Sequence, residues 1–362
     1  MRFRHWLSVA TVILLIVILV AARGQFVEAW FLLWQVNIWI LLLLIPVQFI
    51  SYFAESGIFF TYLRARGQLK EVHAAEAVKM ALELNFVNDI FPSGNAAGIS
   101  YLAWRLSKFG VPPGQTTMAE IMRYMVQIST FIVLLIFALL FTAIDNNTSN
   151  WLIMVISIAI TAVILIVFFG GFLISKARYM KSFARWLTKT GNFFIEKITF
   201  GRVKNKIKFE KINKFFKDFR EDFLVLKSDK KLLIKPIVLS FVYNISDMGL
   251  FFVTFWALGS IVSPAILFIG YAAAALAGTF MPTPGGAGAY ELIMVGVLVS
   301  GGVSADIALA GVVLARAVLV TFSVGMGFFL YQAALNKYGK PRMEKIDLTP
   351  DDEIERIKKD EK

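Results

Sequence analysis

The chain has 362 residues, is 58% hydrophobic and has a mean hydropathy of +0.69, more than a soluble domain carries. It has no cysteine, and its two histidines, His5 and His73, stand apart, which excludes a disulfide framework, a thiolate nucleophile and a Cys-based metal site. The net charge of +12 is local, because residues 176–235 hold 18 Lys/Arg against 6 Asp/Glu, a surplus equal to that of the whole chain.

The apolar segments are long and do not alternate, so they predict helical spans rather than a barrel. Residues 6–22 follow Arg2 and Arg4 without a charge. The sequence Ala21-Ala22-Arg23-Gly24 is a poor cleavage site, so this reads as a retained first span rather than a removed signal peptide. Residues 30–54 form a second span with Trp30, Trp34 and Trp39 as an interfacial belt. Residues 74–109 are interrupted by Pro92-Ser93-Gly94-Asn95-Ala96-Ala97-Gly98, and neither half has the roughly 20 apolar residues that a crossing needs. A re-entrant hairpin fits better. Residues 118–144 make the next span, the uncharged-to-acidic loop 145–150 follows, and 151–175 make another.

The basic insertion 176–235 predicts an amphipathic hairpin, one arm from 179 to 198 and the other carrying Ile207, Ile212, Phe216, Phe219 and Phe223. Residues 236–258 span again, and 264–299 are broken by Pro282-Thr283-Pro284-Gly285-Gly286-Ala287-Gly288. Two prolines and three glycines in seven residues cannot continue a helix. Residues 307–334 form the last span, and the tail 335–362 carries eight basic and eight acidic residues.

The expected architecture is therefore an all-α polytopic membrane protein with six full spans and two re-entrant hairpins. The first repeat covers 1–150 and the second 151–334. Both tips read Pro-x5-Gly, both lead to a Gly-Val turn (Gly110-Val111 and Gly302-Val303), and each is followed by an arginine in the next long run, Arg123 or Arg316. The positive-inside rule puts 176–235 and both termini in the cytoplasm of a plasma-membrane protein. The second repeat then runs upside down relative to the first, as in many secondary transporters. The alternative is that 289–299 crosses completely, giving a plain bundle.

The run Pro282-Thr283-Pro284-Gly285-Gly286-Ala287-Gly288-Ala289-Tyr290-Glu291, the Gly-Val turn and the span arginine resemble the lysylphosphatidylglycerol synthase transmembrane-region family, a flippase-like domain family. Arg105-Leu106-Ser107-Lys108-Phe109-Gly110-Val111 is similar to its first-half motif, and the resemblance covers about residues 5–335. It implies lipid handling. Only 28 residues follow the last span, so the resemblance is to a stand-alone member without the aminoacyl-transferase domain, and lipid lysylation is not expected.

The chemistry expected at the tips is anion binding, with Pro92, Gly94, Asn95, Gly98, Pro282, Pro284, Gly285, Gly286 and Gly288 exposing backbone amides at helix N-termini. The same glycines also suit close helix packing. Arg316 lies too deep to snorkel and serves either a lipid phosphate or a partner such as Glu291 or Asp247. Arg123, nearer its span's end, either binds headgroups or anchors by snorkelling. Asp89, Asp247 and Glu291 are proton carriers if transport is proton-coupled, and salt-bridge partners otherwise. The basic hairpin suits anionic lipid, and its flanking spans argue against nucleic acid. No nucleotide-binding or hydrolase motif is present, and no metal or other cofactor is implied. The expected function is translocation of an anionic phospholipid or lipid-linked intermediate without covalent chemistry. An intramembrane glycosyl or phosphoryl transferase, or a carrier of a small anionic solute, remains the alternative, and homo-oligomerisation is open.

Overall fold

The computed structural model describes residues 36–91, 96–144, 177–198, 231–279 and 288–339, with Phe31, Trp34, Thr161 and a few positions between 209 and 217 besides. The expected span 6–22, the span 151–175 apart from Thr161, the tail after 339 and the tip residues 92–95 and 280–287 lie outside the described residues. All regular structure among the described residues is helical: α1 Ile38–Leu41, α2 Leu44–Ala65, α3 Ala74–Ile90, α4 Ala96–Ser107, α5 Pro113–Ile144, α6 Ala177–Ile198, α7 Lys231–Ala257, α8 Pro264–Thr279, α9 Ala289–Ser300 and α10 Ala305–Tyr338. Among the described residues four segments are long and apolar enough to cross a membrane: Ile38–Ala65, Gly114–Thr142, Leu232–Ala257 and Ala305–Tyr338.

Local chemistry sets the ends. The Asn37 side chain accepts from the Trp39 and Ile40 amides and opens α1, while the Asn37 N–H bonds the Ala257 carbonyl at 2.9 Å and ties this start to the end of α7. Pro113 and Pro264 stand first in α5 and α8, where a missing N–H costs nothing. α3 ends before Pro92, which disfavours a helical conformation in the residue ahead of it. The two Gly-Val turns close α4 and α9 alike. Gly110 and Gly302 have φ of +80° and +90°, and the following valine N–H reaches back five residues, Val111 to Leu106 at 3.2 Å and Val303 to Leu298 at 3.0 Å.

The second span differs from its expected bounds. It runs to Ala65 instead of stopping at Ala54, because Glu55 is buried inside the helix rather than marking a polar connection. The basic arm is where it was expected, as α6. Phe183 meets Phe216 edge-on at 5.7 Å and Arg185 lies 5.9 Å from the Phe209 ring, so the chain returns alongside it.

The centre of the bundle is the α2–α7 pair, the most extensive helix contact. α3 packs on α4 and α8 on α9, so each broken segment folds back as a pair of helices. The first arm of each pair also packs against the last long helix of the other half, α3 on α10 and α8 on α5. One core forms around Phe59, Met80, Leu102 and Ala119 and a second around Phe255, Leu267, Met294 and Val312. The outward faces stay apolar, with Phe137, Phe141, Val238, Leu292 and Phe329 exposed, as suits a hydrocarbon solvent.

Small residues let these helices approach. A Cβ on Gly327 of α10 would stand 2.4 Å from the Phe86 Cβ and 2.9 Å from the Leu82 carbonyl oxygen of α3. The second contact is backbone and cannot rotate away. Gly327→Ala should therefore push α10 off α3 and cost about 1–3 kcal/mol of overpacking, read as a lower unfolding temperature in detergent. An unchanged transition would mean that this helix pair is not tightly packed.

Candidate functional site

On α2 the polar residues Gln48, Ser51, Tyr52 and Glu55 fall at i, i+3, i+4 and i+7, which is one face of a helix. α7 repeats the spacing with Ser240, Tyr243, Asn244 and Asp247. Because α2 and α7 pack on each other, two polar stripes run inside an otherwise apolar bundle.

In the first half the stripe is neutralised by Arg123 of α5. Its guanidinium donates to Glu55 Oε1 at 2.8 Å, Glu120 Oε2 at 2.7 Å and Gln127 Oε1 at 3.2 Å, and it lies 4.3 Å over the Tyr124 ring. Asn85 of α3 donates to the other Glu55 oxygen at 2.7 Å. Arg123 is 3% exposed, so it does not snorkel to a surface. Beside this network Thr130 and Ser240 share a hydrogen bond of 2.6 Å, and Asn244 donates to Thr130 at 2.9 Å, tying α5 to α7.

In the second half the N-terminus of α9 and Arg316 of α10 meet at one carboxylate. Gly288, with φ +90°, caps α9, and its N–H donates to Glu291 Oε2 at 2.6 Å. This is the half of a capping box that a glycine can make. Arg316 Nε donates to Glu291 Oε1 at 3.1 Å, and its guanidinium lies 4.4 Å over the Tyr290 ring. Glu291 thus takes the position that an external anion would take, between a helix N-terminus and an arginine.

The two remaining candidate acids are held by hydroxyls. Ser323 of α10 donates to Asp89 Oδ2 at 2.6 Å, with Arg316 within electrostatic reach. Tyr271 of α8 donates to Asp247 Oδ2, and Ser51 bonds the same carboxylate from α2.

Arg105 forms a separate staple. It bonds Glu83 at 2.9 Å and Glu76, and Tyr101 donates to Glu83 at 2.9 Å, so α4 is locked to α3. The guanidinium also stacks 4.3 Å over Tyr338, which pins the end of α10. At the open end of this helix pair, burial pulls the Glu76 carboxyl up, but the hydrogen bond and charge of Arg105 outweigh it and hold the group below its usual range.

The structure therefore brings Glu291, Arg316 and Gly288 together, with Asp89 nearby, and puts Arg123 in a network of its own. Gly98 sits inside the first turn of α4, where a Cβ would stand 2.0 Å from Asn88 Oδ1, so its described role is close packing against α3. Pro92, Gly94, Asn95, Pro282, Pro284, Gly285 and Gly286 lie outside the described residues. Sequence reasoning missed Glu55, Glu120, Asn85 and Tyr271. A signal for Glu55 was there: Glu55-Ser56-Gly57-Ile58-Phe59-Phe60 is echoed by Asp247-Met248-Gly249-Leu250-Phe251-Phe252, an acid, a glycine and a Phe-Phe pair at matching positions on the two central helices. Among the described residues no three acids or histidines gather as a metal-binding set.

The profile of the family described as Lysylphosphatidylglycerol synthase TM region matches residues 6–327, most of the chain. No curated protein and no solved structure matches it.

Proposed function

The chain belongs to the lysylphosphatidylglycerol synthase TM region family, and from that premise we propose that this multi-pass membrane protein moves an anionic phospholipid or lipid-linked intermediate between leaflets, without covalent chemistry. The observation that carries the reading is the Glu291 site. A deep arginine and a glycine-opened helix N-terminus share one internal carboxylate, an arrangement that a phosphate can enter by displacing it. On their sequence alone, the tip residues Pro92, Gly94, Asn95, Pro282, Pro284, Gly285 and Gly286 are assigned to headgroup binding as well.

The pathway we infer lies between two re-entrant hairpins, α3–α4 and α8–α9, in an inverted repeat. Three features support this. The Glu55 and Asp247 motifs repeat, the Gly-Val turns are bonded alike, and the contacts of one half are matched in the other: α3 with α10 as α8 with α5, and α4 with α5 as α9 with α10. Helix α6 fits a surface role near anionic lipid, since Tyr179, Trp186 and Phe193 are exposed beside Arg178, Lys181, Arg185 and Lys189.

The orientation is testable because the chain has no cysteine. With the basic insertion and both termini in the cytoplasm of a plasma-membrane protein, Ser304→Cys, exposed at the start of α10, should react only with an impermeant thiol reagent added outside. Lys337→Cys should react only from the cytoplasmic side. Labelling of Ser304→Cys from within would overturn the inverted repeat. The function itself is tested by identifying the lipids that co-purify and by following a fluorescent phosphatidylglycerol in proteoliposomes. A bound polyprenyl-linked sugar that the protein converts chemically would replace transport with catalysis.

A further inference from the structure

Glu55 and Asp247 occupy equivalent places in the repeated motif on the two central helices, but their partners differ. Glu55 is bonded by Arg123 at 2.8 Å and by Asn85 at 2.7 Å. Asp247 is bonded by two hydroxyls, Tyr271 and Ser51, and no Lys or Arg among the described residues pairs with it. Among the described residues its surroundings come from several helices. Ser51 and Glu55 face it from α2, Tyr271 from α8, Tyr290 from α9 and Tyr243 from its own helix. Arg123 of α5 is already shared by Glu55 and Glu120, and Arg316 of α10 is bonded to Glu291. Helix α1 has no titratable or charged side chain.

Among the described residues, the charged group in electrostatic reach of Asp247 is the Glu55 carboxylate, and the arginines of α5 and α10 are bonded to other acids. A carboxylate with hydroxyl partners and no paired cation carries a desolvation cost that binding a proton relieves. The wider balance points the same way. Even with Asp247 neutral, Glu55, Glu120, Asp89 and Glu291 outnumber Arg123 and Arg316 among these described residues, so an entering anion adds to a negative surplus. Tyr290 links the two places, since its ring lies under Arg316 and its hydroxyl is in electrostatic reach of Asp247.

We infer that Asp247 is the proton-binding site of the transport cycle, and that an anionic headgroup displacing Glu291 from Arg316 travels with a proton on Asp247. This rests on the transport reading above and adds its coupling ion. The step is charge-balanced: the headgroup brings one negative charge to the layer and the proton brings one positive. By linkage, each promotes binding of the other. Asp247 is protonated from the acidic side and releases its proton to the alkaline side, so lipid collects in the leaflet facing the alkaline solution.

Two measurements separate this inference from the transport reading. The first needs no lipid movement. Infrared spectra of the purified protein at neutral pH should show a protonated carboxyl C=O band that disappears in Asp247→Asn, whose amide still accepts from Tyr271 and Ser51. A band that persists unchanged in Asp247→Asn overturns the inference. The second uses proteoliposomes with fluorescent phosphatidylglycerol and an imposed pH difference. For one proton per lipid, one pH unit should drive about a tenfold leaflet asymmetry in the wild type, lost in Asp247→Asn and kept in Asp247→Glu. Wild-type movement without asymmetry overturns the coupling. If labelled lipid does not move at all, the transport reading fails, while the infrared result still decides whether Asp247 holds a proton.

Discussion

Replacing Arg123 by alanine should prevent accumulation of folded protein rather than merely silence it. Its guanidinium is the sole cation among the described residues that bonds Glu55 and Glu120, which are 3% and 1% exposed. Removing one side of a buried pair typically costs about 3–5 kcal/mol, because the remaining carboxylate is stranded away from water. Here two carboxylates are stranded, on α2 and α5, and Asn85 alone cannot satisfy them. Arg123→Lys keeps the charge but not the fork that reaches Glu55, Glu120 and Gln127 together, so an intermediate loss is expected. Adding Glu120→Gln to Arg123→Ala removes one of the two stranded charges and should recover part of the lost stability. The measurement is the unfolding temperature in detergent, with membrane-extracted yield as a second readout. Arg123→Ala protein with wild-type stability would mean that Glu55 and Glu120 are neutral without it, and the network would not be a structural anchor.

The sequence and the fold part company at this network, for a physical reason. Apolar run length is a bulk property of the chain, so most of the described long helices and both broken segments were visible as runs and breaks. A charge inside a run is ambiguous. Asp247 and Arg316 were read as lying within spans because apolar residues flank them on both sides. Glu55 is the first charge after the uncharged run 30–54, with Arg64 nine residues on, so the uncharged run alone ends at Ala54. Whether such a carboxylate marks the end of a span depends on whether a cation reaches it, and the cation is Arg123, 68 positions later. The same holds for Asp247 and Glu291. Sequence left both as partners for Arg316, but only the geometry of α9 makes the choice. Glu291 stands at the third position of a helix opened by Gly288, so its carboxylate curls back over the N-terminus and within reach of α10. Asp247 lies one helix away and meets Tyr271 instead. Glu55 and Asp247 sit in matching short sequences, an acid, a glycine and a Phe-Phe pair, although their partners differ.

The Arg316 series separates a lipid-binding arginine from a structural one. If Arg316 takes a phosphate, Arg316→Lys should slow lipid movement roughly tenfold or more, because a lost charge-assisted hydrogen bond is worth about 1.5–3 kcal/mol and lysine lacks the planar fork. Arg316→Ala should abolish movement. Glu291→Gln should act in the opposite sense on binding. It weakens the internal competitor for Arg316, so anionic lipid should be held more tightly, while the weaker cap on α9 costs about 1 kcal/mol of stability. The double variant Arg316→Ala with Glu291→Gln decides between the two roles. If the arginine exists only to neutralise Glu291, removing both charges together leaves nothing stranded, and lipid movement should return. If the arginine binds the headgroup, the double variant still folds, because Glu291 is no longer charged and Asp89 keeps its Ser323 hydrogen bond, but it does not move lipid. The comparison requires that each variant be shown to fold first, by its unfolding temperature, and then be assayed with fluorescent phosphatidylglycerol in proteoliposomes. Movement restored in the double variant would make Arg316 a structural partner and leave the headgroup to the backbone amides of the broken-helix tips.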